Sequence, residues 1–105
     1  MNFSLVIFCT VPNEEEARKI SETLVRQKLA ACVNRVQGIH SMYFWEQKIC
    51  DDQEWMLIIK SKKTLLDTII AEIRKKHSYD VPEIIALPII GGSEDYLNWL
   101  ETNTR

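Results

Sequence analysis

The chain has 105 residues, a net charge of −2 and 46% hydrophobic residues. The length predicts one domain over residues 1–105, and the composition excludes intrinsic disorder, collagen-like repeats and a small disulfide-stapled fold. Nucleic-acid binding requires a basic stripe to meet phosphates, whereas the basic stretch at residues 60–63 is short and is interrupted by Ser61. We therefore expect no nucleic-acid partner.

The chain also lacks the patterns of membrane insertion and secretion. No apolar run approaches the roughly 18 residues that a membrane span needs. The apolar N-terminal stretch follows no basic region and precedes three acids at 14–16, unlike a signal peptide. Cys9, Cys32 and Cys50 form no C-x-x-C pair. We expect a cytosolic protein with reduced thiols and no membrane partner.

The first half of the chain predicts a strand, a helix and two further strands. Residues 3–10 are β-branched and aromatic, and Asn13 with Glu16 forms a capping box for an amphipathic helix that runs through Lys28. Residues 34–38 are turn-rich or bulged, and residues 41–45 are aromatic strand material. Residues 47–53 predict a polar hairpin region before a third strand at 55–60.

The second half predicts a helix, a strand and a short terminal helix. Thr64 is the expected N-cap of the second helix, and cations at 74–77 suit its C-terminal end. Residues 83–90 form a fourth strand, which Pro88 places at an edge or a bulge, and Ser93 caps the last helix. The order β-α-β-β-α-β predicts an α+β ferredoxin-like sandwich with a short C-terminal helix.

The chain has more aromatic side chains than one small core can bury. The aromatic hairpin, which includes Tyr43, Phe44 and Trp45, and the nearby Trp55 leave a large apolar surface. Such a surface favours a homo-oligomer with the hairpin at the subunit seam. The alternative is a monomer whose terminal helix folds back over the open face of the sheet.

Sulfur and imidazole are the candidate metal ligands. The chain contains no phosphate-binding loop or catalytic triad motif, so we expect no enzyme and no catalytic residue. Cys9 ends the first strand beside a helix N-terminus, which is expected to lower its thiol pKa, and His77 ends the second helix. This pair suits copper, whereas the simpler interpretation is a buried thiol and a capping histidine.

The remaining cysteines and histidine are weaker candidates. Cys32 is predicted to be a small core residue, because it lies in a short apolar stretch. Cys50 lies in the polar hairpin region, and His40 lies beside Gly38. Neither residue has an evident partner for metal binding.

A polar pocket forms a second candidate site. If the hairpin lies at a subunit seam, its predicted lining is Trp45, Lys60, Tyr79 and Glu83. Two interpretations remain open for these residues. They form an interfacial ion pair with aromatic packing, or they form a catalytic pair.

Several short motifs resemble those of a known family in order and spacing. They are Cys9–Thr10–Val11–Pro12, Leu29–Ala30–Ala31–Cys32–Val33–Asn34, Ser41–Met42–Tyr43–Phe44–Trp45–Glu46, Leu57–Ile58–Ile59–Lys60, His77–Ser78–Tyr79–Asp80–Val81–Pro82–Glu83 and Tyr96–Leu97–Asn98–Trp99. Together they resemble the CutA divalent-cation tolerance family along essentially the whole chain. The resemblance implies a ferredoxin-like homotrimer, similar to the PII signalling proteins.

The resemblance also implies a connection to copper and other divalent cations. Carried over by motif, the metal residues are Cys9 and His77. Lys76 stands where members often have a second histidine, which removes one ligand and predicts weak binding. Ser78 and Gln47 replace the family's usual proline and glycine.

Three functional hypotheses follow from the residues and the resemblance. The first is a cytosolic homotrimer that binds copper or a similar cation and contributes to metal tolerance. The second is a PII-like regulatory module whose intersubunit clefts bind a small metabolite. The third, favoured least, is an enzyme that uses Lys60, Tyr79 and Glu83.

Overall fold

The computed structural model describes residues 3–105 as a four-stranded antiparallel sheet with two helices packed on one face. The elements in chain order are β1 Ser4–Val11, α1 Glu14–Arg26, β2 Cys32–Trp45, β3 Lys48–Lys62, α2 Leu66–Lys76, β4 Ile84–Pro88 and α3 Glu94–Thr102. The strand order is β2-β3-β1-β4. The predicted α+β ferredoxin-like fold is confirmed, with Pro88 on an edge strand as expected. The domain predicted for 1–105 includes residues 1 and 2, which lie outside the described residues.

The core lies between the sheet and the two helices α1 and α2. Alternate residues of β1 and β3 face these helices, as the two-residue period of a strand requires. The fully buried apolar side chains of this layer are Ile7, Cys9, Val11, Ile20, Leu24, Leu57, Ile59, Ile69 and Ile73. Each large aliphatic side chain here contributes about 1.5–3 kcal/mol by leaving water. This core holds β1 as an interior strand.

Two of the three predicted helix caps are present. The Asn13 side chain accepts a 2.9 Å hydrogen bond from the N–H of Glu16, and the Ser93 side chain accepts one of 3.3 Å from Tyr96. The prediction that Thr64 caps α2 is wrong. A 3₁₀ turn, Lys63–Leu65, precedes α2, and the N–H of Leu66 bonds to the carbonyl of Lys63. This turn satisfies a terminal N–H group without a side-chain cap.

The β2–β3 hairpin is longer than the sequence pattern indicated. Residues 47–53, predicted as a polar hairpin region, are strand from Lys48 onward. The turn consists of Glu46 and Gln47, both with positive φ (50° and 64°). Two consecutive left-handed residues match the twist of the flanking strands, so the ladder continues to its end at Trp45 and Lys48.

A β-bulge interrupts β2, as the sequence pattern at 34–38 allowed. Val36 pairs with Met56, but the next ladder pair is Ile39 with Glu54, so β2 carries one extra residue. Gly38 lies in this bulge with φ of 81°, a conformation that glycine adopts without steric cost. Because of the extra residue, odd-numbered positions after the bulge share a face with even-numbered positions before it.

The sheet face opposite α1 and α2 is largely uncovered. Val36, Ile85 and Leu87 are exposed large apolar residues on this face. α3 covers only one end of it, where Lys62 forms a 3.1 Å ion pair with Glu101. The terminal helix therefore does not close the face within one chain, contrary to the monomer alternative. Trp55 was predicted to be among the aromatic residues that a small core cannot hold, but its side chain packs against the core.

The helices described in residues 3–105 are short. None of them combines the length and the apolar composition that crossing a membrane requires.

Candidate functional site

A cleft of about 590 Å³ opens on the uncovered sheet face, near the C-terminal end of β1. Each neighbouring element contributes to its wall, and the lining residues are Thr10, Ser41, Met42, Tyr43, Trp45, Glu54, Tyr79, Asp80, Val81 and Glu83. The β2 bulge turns Tyr43 and Trp45 to the same face as Glu54. The volume is that of a site for a small molecule.

The charged side chains of the cleft are all acidic. Glu54, Asp80 and Glu83 line it, and within residues 3–105 of one chain no lysine, arginine or histidine does. Glu54 is only 5% exposed, and its Oε2 accepts a 2.9 Å hydrogen bond from the hydroxyl of Tyr79. The cleft therefore attracts cations and repels anions.

Two tyrosine hydroxyls of the cleft donate hydrogen bonds to carboxylates. Burial and the hydrogen bond to Glu54 raise the pKa of Tyr79 above its ordinary value. The hydrogen bond that Tyr43 donates to Asp52 is the main cause that raises the pKa of Tyr43 to about 12. Both phenols stay neutral at physiological pH because ionisation would place a second negative charge beside a carboxylate.

His77 connects the end of α2 to the end of β1. Its side chain is fully buried, and its Nε2 lies 2.7 Å from the carbonyl oxygen of Thr10. Its Nδ1 accepts a 3.1 Å hydrogen bond from the N–H of Tyr79. A nitrogen that accepts from an N–H carries no proton itself, so the ring is in the Nε2–H form and donates to Thr10. Both ring nitrogens are thus engaged.

Cys9 and His77 both lie beside the carbonyl group of Thr10. Its Sγ is 3.8 Å from the same Thr10 carbonyl oxygen that His77 contacts. The expectation that a helix terminus lowers its thiol pKa is wrong. Burial is the main cause that raises the pKa of Cys9 to about 12, and Glu83, Glu54 and Glu16 add to it. The thiol, not the thiolate, is therefore the form present at neutral pH.

These two residues do not fit a copper site as they are arranged. The Cys9 thiol stays protonated, and both ring nitrogens of His77 are used in hydrogen bonds to protein. A metal ligand must present a deprotonated atom with a free lone pair. Across residues 3–105, no group of three or more His, Cys, Asp or Glu side chains is arranged to hold a metal ion. The geometry matches a buried thiol and a histidine that ends its helix.

Three of the four predicted pocket residues meet in the cleft. Trp45, Tyr79 and Glu83 line it, whereas Lys60 does not and instead donates a hydrogen bond to Asn34. Lys60 pairs with Val6 on the ladder, four positions from Thr10 and about 13 Å along the strand. Within one chain, Lys60 is therefore no partner for Tyr79 and Glu83.

Glu54, the most buried charged residue of the site, was not predicted from the sequence. An acid directly before the apolar stretch that begins at Trp55 was the available signal. Of the weaker candidates, Cys32 is half-buried at a ladder position opposite Lys60, so it is not the fully buried core residue that was predicted. Cys50 and His40 lie on the hairpin strands outside the cleft lining.

The four-stranded sheet and its helices place this protein in the class of α+β ferredoxin-like domains. Comparison with known proteins identifies its family. A family model described as CutA1 divalent ion tolerance protein matches residues 5–103. A chloroplastic CutA protein of Arabidopsis thaliana is 51% identical over 102 residues, which cover 97% of this chain and 56% of that protein. The divalent-cation tolerance protein CutA of Thermus thermophilus is 44% identical over 94% of this chain and 96% of its own. The chain belongs to the CutA1 divalent ion tolerance family.

Solved structures agree with this assignment. The structure of CutA1 from Oryza sativa has a TM-score of 0.95 and 48% identity, covering 98% of this chain and 94% of that one. The divalent cation tolerance protein from Thermus thermophilus also has a TM-score of 0.95, with 43% identity. The curated plant relatives are longer proteins, of which this chain spans 56–58%.

Proposed function

We propose that this protein is a homotrimer that acts in tolerance of divalent cations and meets those cations at its acidic clefts. The observation that carries the proposal is the charge of the cleft, which Glu54, Asp80 and Glu83 line without any basic side chain. The names of its family and of the Thermus thermophilus relative support the connection to divalent cations. They describe tolerance and no reaction, which favours a non-enzymatic role.

Two surfaces support assembly into a homotrimer. Val36, Ile85 and Leu87 leave the open sheet face apolar, and Phe44 is exposed near the hairpin tip. Apolar area of this kind is stabilised when another protein surface covers it. Both edge strands, β2 and β4, present free backbone groups that a second copy can pair with or cover.

Copper is the divalent metal that we expect to bind most strongly. Divalent first-row metals generally follow an order in which Cu²⁺ exceeds Zn²⁺, and carboxylate sites bind Mg²⁺ more weakly. We place the cations in the cleft as hydrated ions, because no three carboxylates within residues 3–105 converge on one point and the donor atoms of Cys9 and His77 are protonated or engaged. The three cysteines form no disulfide, which supports a location in the cytosol.

A PII-like module that binds a small metabolite is the alternative. The cleft volume of about 590 Å³ favours this function, since it suits a small molecule. The acidic lining disfavours anionic metabolites such as nucleotides. An enzyme that uses Lys60, Tyr79 and Glu83 has less support, because Lys60 lies outside the cleft.

Thermal unfolding with added ligands separates these functions. We expect Cu²⁺ to raise the Tm more than Zn²⁺, with Mg²⁺ and ATP having little effect. A ligand at a hundred times its dissociation constant stabilises the native state by about 2.7 kcal/mol. The Glu54→Gln/Glu83→Gln double variant should lose the metal effect, and a Glu15→Gln/Glu22→Gln variant with the same charge change should keep it. Stabilisation by ATP alone would contradict the proposal.

A further inference from the structure

Two charged side chains of the open sheet face lie at its opposite ends. Glu54 and Lys60 are both on this face of β3, six positions apart, which is about 20 Å along the strand. We propose that Lys60 of one copy enters the cleft of a neighbouring copy and pairs with the carboxylates there. This inference rests on the homotrimer of the proposed function and identifies the side chain that a second copy adds to the site.

The first support is the state of Lys60. This residue is half-buried and lies on the face away from the helices, because its ladder partner Val6 alternates with the core residues of β1. Within residues 3–105 Lys60 forms no ion pair, and it donates its hydrogen bond to the neutral side-chain oxygen of Asn34. Lys62, on the same face, is already paired with Glu101 at 3.1 Å. Lys60 is therefore available to a carboxylate of another chain.

The second support is the acidic end of the face. Glu54 is 5% exposed, and the hydroxyl of Tyr79 that donates to it carries no charge. Asp80 and Glu83 lie in the same cleft, to which residues 3–105 of one chain contribute no cation. Bringing three carboxylates together is costly unless a cation lies among them. Because the cleft lies beside the expected subunit seam, a neighbouring copy is the nearest source of that cation.

The apolar surface of this face fits a second copy of the chain. Val36, Ile85 and Leu87 are 38%, 54% and 50% exposed, and they lie in the rows of the sheet from Lys60 to Glu54. A partner that covers the face must match an apolar centre with one basic and one acidic end. The same face of another copy, turned end to end, has that pattern.

A closed ring of three copies can satisfy every such end. Each copy gives its Lys60 to one neighbour and receives the Lys60 of the other neighbour in its own cleft. Strands aligned along the symmetry axis would instead bring three Lys60 side chains together, and repulsion between like charges opposes that arrangement. The charges therefore favour the ring in which unlike ends meet.

The pairing lowers the charge of the cleft without reversing it. One lysine against the three carboxylates Glu54, Asp80 and Glu83 leaves a net charge of −2. Hydrated cations are still attracted to the assembled cleft, which agrees with the proposed function.

Zero-length cross-linking tests which side chains meet. A carbodiimide joins an amine to a carboxylate only when the two groups are in direct contact. Lys60 pairs with Val6 on the ladder, about 13 Å along the strand from Thr10 beside the cleft, so no such link forms within one chain. We expect mass spectrometry to find Lys60 joined to a cleft carboxylate, in species that run as two or three chains on a denaturing gel. Lys60→Arg is the matched control, because arginine keeps the charge but forms no link.

Charge reversal provides a second measurement. Lys60→Glu should raise the protein concentration at which the trimer dissociates by about tenfold or more, as sedimentation can measure. The double variant Lys60→Glu/Glu83→Lys restores opposite charges between copies and should recover most of this loss. The control Lys76→Glu changes an exposed residue at the end of α2 and should have no effect.

The outcomes separate this inference from the proposed function. A trimer in which Lys60 forms no link to a cleft carboxylate, or in which Lys60→Glu dissociates no more readily than Lys76→Glu, would overturn the inference and leave the homotrimer standing. A folded monomer would overturn both. If Lys60→Glu fails to fold, as judged by circular dichroism, the cross-linking of the unmodified protein decides.

Discussion

The backbone N–H of Tyr79 donates a 3.1 Å hydrogen bond to Nδ1 of His77, and the two rings lie 4.8 Å apart. This contact sets the proton of the imidazole on Nε2, where the carbonyl of Thr10 accepts it. It also directs the Tyr79 hydroxyl to Glu54. One short segment after α2 therefore connects the buried end of β1 to the acidic cleft.

The protonation form of His77 leads to a prediction about copper. We expect the ¹⁵N spectrum of its imidazole to show a neutral ring with the proton on Nε2. Because the Cys9 thiol is protonated and both ring nitrogens of His77 are engaged, Cys9→Ser should leave the Cu²⁺ titration unchanged. A loss of copper binding in Cys9→Ser, with an intact fold, would show that the buried pair rearranges to hold the metal.

The contact between Tyr79 and Glu54 should be energetically coupled. Tyr79→Phe removes the hydroxyl that donates to Glu54, and we expect the free energy of unfolding to fall by about 1–3 kcal/mol. Glu54→Gln should reduce the cost of Tyr79→Phe, because the neutral amide needs the hydroxyl less. Urea denaturation of both single variants and the double variant, at one protein concentration, measures this coupling. Additive effects would mean that the contact carries no energy.

The raised pKa of Cys9 predicts an unreactive thiol. Iodoacetamide at pH 8 should leave Cys9 unmodified in the native protein and modify it after unfolding, as mass spectrometry of the peptides can show. The folded pKa of about 12 exceeds the ordinary thiol pKa of 9.0. The stabilising effect of the neutral thiol is therefore complete below pH 9 and is lost as the pH rises toward 12. Rapid native labelling of Cys9 would contradict this.

The N-cap of α1 offers a local test of stability. Asn13→Ala removes the oxygen that accepts the N–H of Glu16 and should cost about 1 kcal/mol. Asn13→Asp keeps an acceptor and places negative charge at the helix N-terminus, so its stability should stay near that of the unmodified protein. Thermal and chemical denaturation can compare the three. Equal losses in both variants would mean that another feature of Asn13 matters.

Assembly should depend on the open sheet face. Leu87→Asp places a charge on this face, at a position that is 50% exposed in one chain. Sedimentation velocity at micromolar concentration should show three chains for the unmodified protein and a smaller species for this variant. The control is Val25→Asp, at a 44% exposed site on α1, which should keep the assembly. A folded monomer before any substitution would end the homotrimer proposal.

Local features of the sequence predicted the helices and strands more accurately than the contacts between them. Asn13 and Ser93 were recognised because a cap depends on residues three positions away. The predicted cap at Thr64 is absent because the 3₁₀ turn before α2 already provides a hydrogen-bond acceptor for the N–H of Leu66. The apolar side chains on one face of each amphipathic helix repeat at a fixed spacing. The helices, and with them the order of helices and strands, could therefore be predicted from the sequence.

The errors at the site all depend on distant partners. Lys60 lies outside the cleft of its own chain, so the pocket predicted at a subunit seam would need a second chain to supply this side chain. The thiol pKa of Cys9 was misjudged because burial, its main cause, and the approach of Glu83 and Glu54 arise only after the chain folds. The role of Glu54 was missed for the same reason. Spacing along the chain carries little information on contacts of this kind.

The one extra residue in β2 lets the hairpin absorb a change in length at a single place. Removing Gly38 would leave one residue between Val36 and Ile39, opposite Trp55, and would take the bulge away. Ile39 would still pair with Glu54, so Tyr43 and Trp45 would keep Cys50 and Lys48 as ladder partners and would stay on the same face. The deletion would remove only the extra local twist that a bulge gives its strand. The direction in which the hairpin leaves the sheet can thus change without a change in the side chains that face the cleft.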